Sequence, residues 1–213
     1  MWVPAQRDSD IAYATLQDMI VDLRLPPSTF INESALASEL GLGRVPVREA
    51  LARLAKDRFV TIMPRRGTAV TPLTLPDVLD IFEARETIEC GVAYIAAARA
   101  SEEDLAALRT LVETVDRDRE STDYEQFLLD DHAVHVRLVH IVQNVLLQDA
   151  ADRLLLHSLR FWRMHWKNRP PSKDAMLSHA DLLSALESRD PSRAEAAMRD
   201  HLTTSRQLVQ ILF

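Results

Sequence analysis

Residues 41–51, Gly-Leu-Gly-Arg-Val-Pro-Val-Arg-Glu-Ala-Leu, constrain the fold of this chain more than any other segment. They read as a short glycine turn feeding a helix with two chemically opposed faces. Val47, Ala50, Leu51 and Leu54 recur at helical spacing and form a packing stripe, while Arg44 and Arg48 stand one turn apart on the other side. Residues 33–40 supply a partner, because Leu36, Ala37 and Leu40 give a short helix an apolar face and Gly41 permits a sharp reversal. Two short helices joined by a glycine-containing turn make a helix-turn-helix, whose second helix enters the major groove of DNA. After Asp57 come Phe-Val-Thr-Ile-Met, Pro-Arg-Arg-Gly and Thr-Ala-Val-Thr, β-branched residues around a basic turn in which Gly67 can take a positive φ. A hairpin wing with Arg65, Arg66 and Gly67 at its tip is expected. The plain alternative is a basic surface helix beside an unrelated hairpin, which leaves the consecutive order of these features to coincidence.

Charge supports a division of labour. Residues 41–72 carry a local balance of +5 inside a chain of net charge −7, so the remainder sums to −12. Phosphate attraction is concentrated where the motif sits, and the rest of the surface repels nucleic acid. The 213 residues are 47% hydrophobic, ample for a buried core in one large or two small domains. The single cysteine, Cys90, excludes an intramolecular disulfide framework and fits a reducing cytoplasm. No apolar run approaches the length of a membrane span, and the N-terminus lacks signal-peptide character, so a cytoplasmic protein without membrane contact is expected.

The fold class expected is mostly α: a winged helix-turn-helix domain over residues 1–72, then an all-α six-helix bundle over 73–213. The boundary falls at residues 71–76, Thr-Pro-Leu-Thr-Leu-Pro, where Thr74 can cap the next helix. Helices are expected at about 8–24 in the first region, and at about 75–98, 101–120, 123–143, 145–166, 172–188 and 191–212 in the second. Ser101 with Asp104, and Asp190 before Pro191, are start signals; Pro170-Pro171 separates two helices.

Polar residues interrupt apolar stripes in this bundle. Phe127, Val134, Leu138 and Val142 share a stripe with Asp131, and His135 follows Asp131 at i,i+4. His179 lies between Met176 and Leu183, and His201 between Met198 and Ser205. A carboxylate facing a core is costly unless paired or bound to a cation. One Asp and three His suit one divalent ion per chain, such as Zn²⁺, Ni²⁺ or Mn²⁺. Hydrogen-bonded core histidines are the alternative. His132, His140, His157 and His165 fall on less consistent faces and read as surface or supporting groups. Arg85 stands one turn before Glu89 and reads either as an i,i+4 ion pair or as an anchor for a ligand carboxylate. Trp162 and Trp166 read first as core or dimer-contact residues and second as a ligand-stacking pair.

Together these features resemble the GntR family of bacterial transcription regulators, in the branch with an FCD (FadR-like C-terminal) domain. The resemblance runs from about residue 9 to 212. It is carried by Leu36-Ala37, residues 41–51, Leu54 and the wing at residues 64–67, then by Arg85 with Glu89, Asp131 with His135, Asn144, residues 179–190 and residues 198–201. It implies operator contacts from Arg44, Val45, Arg48, Arg65, Arg66 and Gly67, and a metal, zinc first, held by Asp131, His135, His179 and His201. A small carboxylate effector near Arg85 and Asn144, and a homodimer on palindromic double-stranded DNA, follow from the same resemblance. Gly43 stands where the family usually has Ser, and Val45 where Thr is common, so one helix cap and two hydroxyl contacts are missing; Gly as an N-cap costs only a few tenths of a kcal/mol relative to Ser.

The reading is a ligand-responsive regulator, a repressor, and not an enzyme. A metal-dependent hydrolase is the competing class, since an Asp-His₃ site can activate water. With four glycines in the chain there is no phosphate-binding loop, and no Gly-x-Ser-x-Gly elbow occurs. A third reading keeps the regulator but makes the metal itself the signal, or a structural brace.

Overall fold

The computed structural model describes residues 7–119, 123–167 and 176–212. Helix α1 (Asp8–Val21) buries Leu16 and Ile20 against α3 (Arg44–Lys56), which presents Val47, Ala50, Leu51 and Leu54 in return. Between them α2 (Glu33–Glu39) starts at Asn32, whose Oδ1 accepts from the backbone N–H groups of Ser34 and Ala35. This side-chain cap satisfies two N–H groups that the first helical turn leaves orphaned. Gly41 takes φ +66, the left-handed conformation that reverses the chain between α2 and α3.

The wing is a three-stranded antiparallel sheet rather than a two-stranded hairpin. Strand β1 (Phe30–Ile31) pairs with β3 (Gly67–Val70), whose other edge pairs with β2 (Val60–Met63). At the β2–β3 turn, Pro64 takes the second position and Arg65 the third with φ +63, while Arg66 N–H bonds the Met63 carbonyl. That third position normally goes to glycine, so a left-handed arginine at the tip is held there against local preference.

Helix α1 ends at Val21, three residues short of the expected end, because Leu23 takes φ +60 and Leu25 N–H turns back to the Met19 carbonyl.

The chain divides into two units, residues 1–73 and 74–213. In the second, α4 (Leu75–Arg99) and α5 (Glu102–Asp118) each begin with a reciprocal capping box, Thr74 with Asp77 and Ser101 with Asp104. These are followed by α6 (Tyr124–Ile141), α7 (Val145–Trp166), α8 (Ala180–Glu187) and α9 (Pro191–Leu212). Helix α9 packs along α4; it buries Ala194, Met198, Leu202, Ser205 and Val209, and α4 buries the small residues Ala93, Ala96 and Ala97 among others. Small side chains let the two helices approach closely, which brings the midpoints of α4, α6 and α9 around one interior space.

The fifth bundle helix is shorter than its apolar spacing suggests. It starts at Ala180 rather than near residue 172, and His179 occupies the N-cap position with φ −106 and ψ 14. Residues 172–175 lie outside the described residues. Ser178 Oγ accepts the Ala180 N–H, so the His179 ring is spared any capping role.

Candidate functional site

In the first unit Arg44, Val45 and Arg48 are all exposed at the start of α3, and Val45 keeps 67% of its surface open. Arg65, Arg66 and Gly67 are exposed at the wing tip. Gly43 caps α3 with no side-chain bond, as its missing hydroxyl requires. Arg48 Nε donates to Glu33 Oε2 at 3.2 Å. An open pair of this kind is worth about 0 to 1 kcal/mol, so phosphate or a base edge can displace Glu33 at little cost.

The second unit gathers Asp131 and His135 from α6, His179 at the head of α8 and His201 from α9. One ligand atom from each lies within 4.8 Å of the other three. His179 Nε2 is 3.2 Å from His135 Nε2 and 3.6 Å from Asp131 Oδ1. The His179 and His201 ring centroids are 4.2 Å apart. The cluster is fixed from behind by Glu89 of α4, whose Oε2 takes the His135 Nδ1–H at 2.5 Å. A carboxylate only accepts, so a neutral His135 ring carries its proton on Nδ1 and turns the Nε2 lone pair inward.

Arg85 completes the arrangement. Its Nε donates to Glu89 Oε1 at 2.6 Å and its Nη1 to Ser158 Oγ of α7 at 2.7 Å, with Arg85 and Glu89 both buried. The ion-pair reading of Arg85 therefore holds, and the same guanidinium lines a cavity with Asp131 and His135. Burial opposes ionisation of Glu89, yet the Arg85 guanidinium and His135 hold its carboxyl well below the usual range. Burial raises the Asp131 carboxyl, although 23% of that side chain reaches solvent.

These residues suit a divalent cation. Two Nε2 atoms at 3.2 Å cannot face each other as lone pairs without a proton or a cation between them. The Nδ1 atoms of His179 and His201 are buried without a hydrogen-bond partner among the described residues, so no acceptor orients these rings. Nitrogen and oxygen ligands about 2.0–2.2 Å from zinc stand roughly 3 to 4 Å from one another, the scale of the contacts here.

Asn144 is not brought to this cluster. It is exposed, and its Oδ1 caps α7 by accepting from the N–H groups of Leu146 and Leu147. Two supporting roles escaped the sequence reading, Glu89 as the His135 acceptor and Ser158 as the Arg85 acceptor, whereas His132, read as a surface or supporting group, lines the cavity. Of the remaining histidines, His157 is buried and His140 is exposed.

The FCD domain profile matches residues 80–204, and the profile for bacterial regulatory proteins of the gntR family matches residues 9–70. The chain belongs to the GntR family of transcription regulators. The chain is 30% identical over 201 residues to the HTH-type transcriptional repressor RspR of Escherichia coli K12, covering 93% of this chain and 87% of that one. It is also 30% identical over 211 residues to the repressor GlaR of the same organism, covering 93% and 94%. Among solved structures, E. coli McbR/YncC superposes with a TM-score of 0.82 over 97% of both chains at 20% identity, a likeness of fold. This GntR regulator is thus a DNA-binding transcription regulator, a winged helix-turn-helix joined to a helical FCD domain. Among the described residues no helix is long and apolar enough to cross a membrane.

The cluster is expected to make the stability of this GntR regulator pH-dependent. Burial, with repulsion from His135 and Arg85, holds the His179 and His201 imidazoles well below their ordinary 6.5. The unfolded chain takes up protons on both rings below that value while the folded chain does not, so their stabilisation is full above 6.5 and lost as pH falls through it. Asp131, shifted upward, acts in the opposite sense, but only near the carboxylate range. Chelator-treated protein should therefore melt at a lower temperature at pH 5.5 than at pH 7.5. An unchanged or higher melting temperature at pH 5.5 would mean that these rings are not buried neutral.

Proposed function

We propose that this GntR regulator is a repressor whose C-terminal unit senses a small organic acid at one divalent metal per chain, held by Asp131, His135, His179 and His201. The observation that carries this reading is the convergence of four donor atoms within 4.8 Å beside a buried arginine. Zinc suits the donors first, with nickel or manganese as alternatives. Bound there, the ion supplies positive charge and Lewis acidity toward a carboxylate oxygen. Arg85 spends three of its five N–H groups on Glu89 and Ser158, which leaves two to hold an anion. Asp131 and His135, one turn apart on α6, fix two ligand positions on a single rigid element.

DNA contact is assigned to residues 1–72, through Arg44, Val45 and Arg48 on α3 and Arg65, Arg66 and Gly67 on the wing. Sensing and dimerisation are assigned to residues 73–213. A homodimer on a palindromic operator needs a self-complementary surface, and the exposed apolar side chains Tyr94, Val145 and Leu146 are candidates for it.

Two variants test the halves separately. Arg48→Ala should weaken specific operator binding by about 1 to 3 kcal/mol, roughly 5- to 150-fold, and weaken random DNA less. Equal loss on both DNAs would make Arg48 a phosphate contact alone. On the zinc-loaded protein, Arg85→Ala should reduce carboxylate affinity by about 1.5 to 3 kcal/mol, the scale of a charge-assisted hydrogen bond. Unchanged affinity in calorimetric titration would remove Arg85 from the ligand site.

A further inference from the structure

An acidic side chain stands inside the basic surface of the first unit. Glu33 is the first residue of α2, and its place is fixed by the Asn32 cap, which accepts from the N–H groups of Ser34 and Ala35. Its Oε2 accepts from Arg48 Nε of α3 at 3.2 Å, with 31% of the Glu33 side chain and 71% of the Arg48 side chain exposed. Among the described residues, Nη1 and Nη2 of Arg48 carry no hydrogen bond, and Arg44, Arg65 and Arg66 carry no acidic partner. A carboxylate beside the helix that meets DNA repels phosphate. As a first-turn acid Glu33 also complements the α2 dipole, but an exposed acid does so without facing α3.

The pairing changes what Arg48 offers. A phosphate is held mainly by charge, and Glu33 offsets the charge of the guanidinium at short range. A guanine edge is held by two hydrogen bonds, to O6 and N7, which require donor geometry rather than net charge. With Nε engaged by Glu33, the two terminal nitrogens form the fork that remains, and the guanidinium plane is set before DNA arrives. Less side-chain freedom is then left to lose on binding. Displacing Glu33 costs little, but only a partner that approaches Nε must displace it. Arg44, exposed on the same helix and unpaired, keeps its full charge for phosphate.

We propose that Glu33 is a specificity-determining residue, which holds the Arg48 guanidinium off phosphate and presents Nη1 and Nη2 to a guanine edge in the major groove. This rests on the assignment of Arg48 to DNA contact above and adds the residue that decides what Arg48 reads.

Selection of full-length wild-type and Arg48→Ala protein against a randomised double-stranded oligonucleotide library should identify the guanine that Arg48 reads. Binding of the selected duplex, of its variant at that base pair and of a random duplex is then measured at about 50 and 200 mM salt. Glu33→Gln should lose about threefold or more of the preference for that guanine. It should also bind the random duplex more tightly, with a salt slope steeper by about 1, because the freed guanidinium engages one more phosphate. In the Arg48→Ala background the effect of Glu33→Gln on base preference should vanish. Glu33→Ala repeats the test should Glu33→Gln not fold. A Glu33→Gln protein with wild-type guanine preference would overturn the assignment. An equal gain in random-duplex binding with and without Arg48 would also overturn it, marking plain charge repulsion. An Arg48→Ala protein that selects the same site with the same preferences would overturn the base-reading role of Arg48, and this assignment with it.

Discussion

Glu89→Gln is expected to destabilise the C-terminal unit by about 3 to 5 kcal/mol, because it removes the counter-charge of a buried arginine while leaving the arginine in place. Arg85 and Glu89 are 5% and 1% exposed, so solvent cannot take over the neutralising role. The amide still offers an oxygen to His135, which separates the loss of charge from the loss of a hydrogen bond. For a unit of this size a loss of that order lowers the melting temperature by roughly 10 °C or more. Arg199→Ala provides the contrast. Arg199 pairs with Glu86 and Glu195 while 48% of its side chain is exposed, so water screens both pairs and its removal should be far milder. Denaturant titration of both variants measures the difference, and a Glu89→Gln protein within 1 kcal/mol of wild type would show that the pair is not isolated from water.

Removing the metal proposed for the Asp131, His135, His179 and His201 cluster should have an effect of similar size. An ion that binds the folded chain alone, present at a thousand times its Kd, stabilises by about 4 kcal/mol, so a chelator should lower the melting temperature by a clearly measurable step. His135→Ala and His179→Ala should each lose the ion and become insensitive to the chelator. His140→Ala, changing an exposed residue, should do neither. Elemental analysis gives the stoichiometry, and a wild-type chain without a stoichiometric ion whose melting temperature ignores chelator would reduce the four residues to packed core groups.

The elements that were legible in the sequence are those whose signals are local. The α3 stripe of Val47, Ala50, Leu51 and Leu54 needs only helical spacing, and Thr74 with Asp77, or Ser101 with Asp104, fixes a helix start through two bonds within three residues. Strand β1 was not legible, because Phe30 and Ile31 are too few for alternation and acquire strand geometry only by pairing with Ala69 and Thr68. The start of α8 was misplaced for a related reason: Met176 and Leu183 are spaced as in a helix, but Met176 precedes it and is buried without being helical.

The candidate site divides the same way. Asp131 and His135 were legible as a pair one turn apart, and His201 as a break in an apolar stripe. The bond from Glu89 to His135 joins α4 to α6 and leaves no periodic trace in either helix. Ser158 is likewise one of several small polar residues on α7 until the fold brings it to Arg85. Asn144 shows the converse, since a residue singled out for its place in a motif has its carboxamide engaged as a helix cap.

The central claim is that an acid bound in the FCD domain alters DNA binding by the winged helix-turn-helix. Operator affinity of the zinc-loaded protein, measured at one salt concentration with and without saturating amounts of a small carboxylate that calorimetry shows to bind it, tests it most directly. An allosteric coupling of about 1 to 3 kcal/mol predicts a change in operator Kd of roughly 5- to 150-fold, with operator DNA shifting acid affinity by the same factor. An acid that demonstrably binds at the cluster yet leaves operator Kd unchanged would contradict the account.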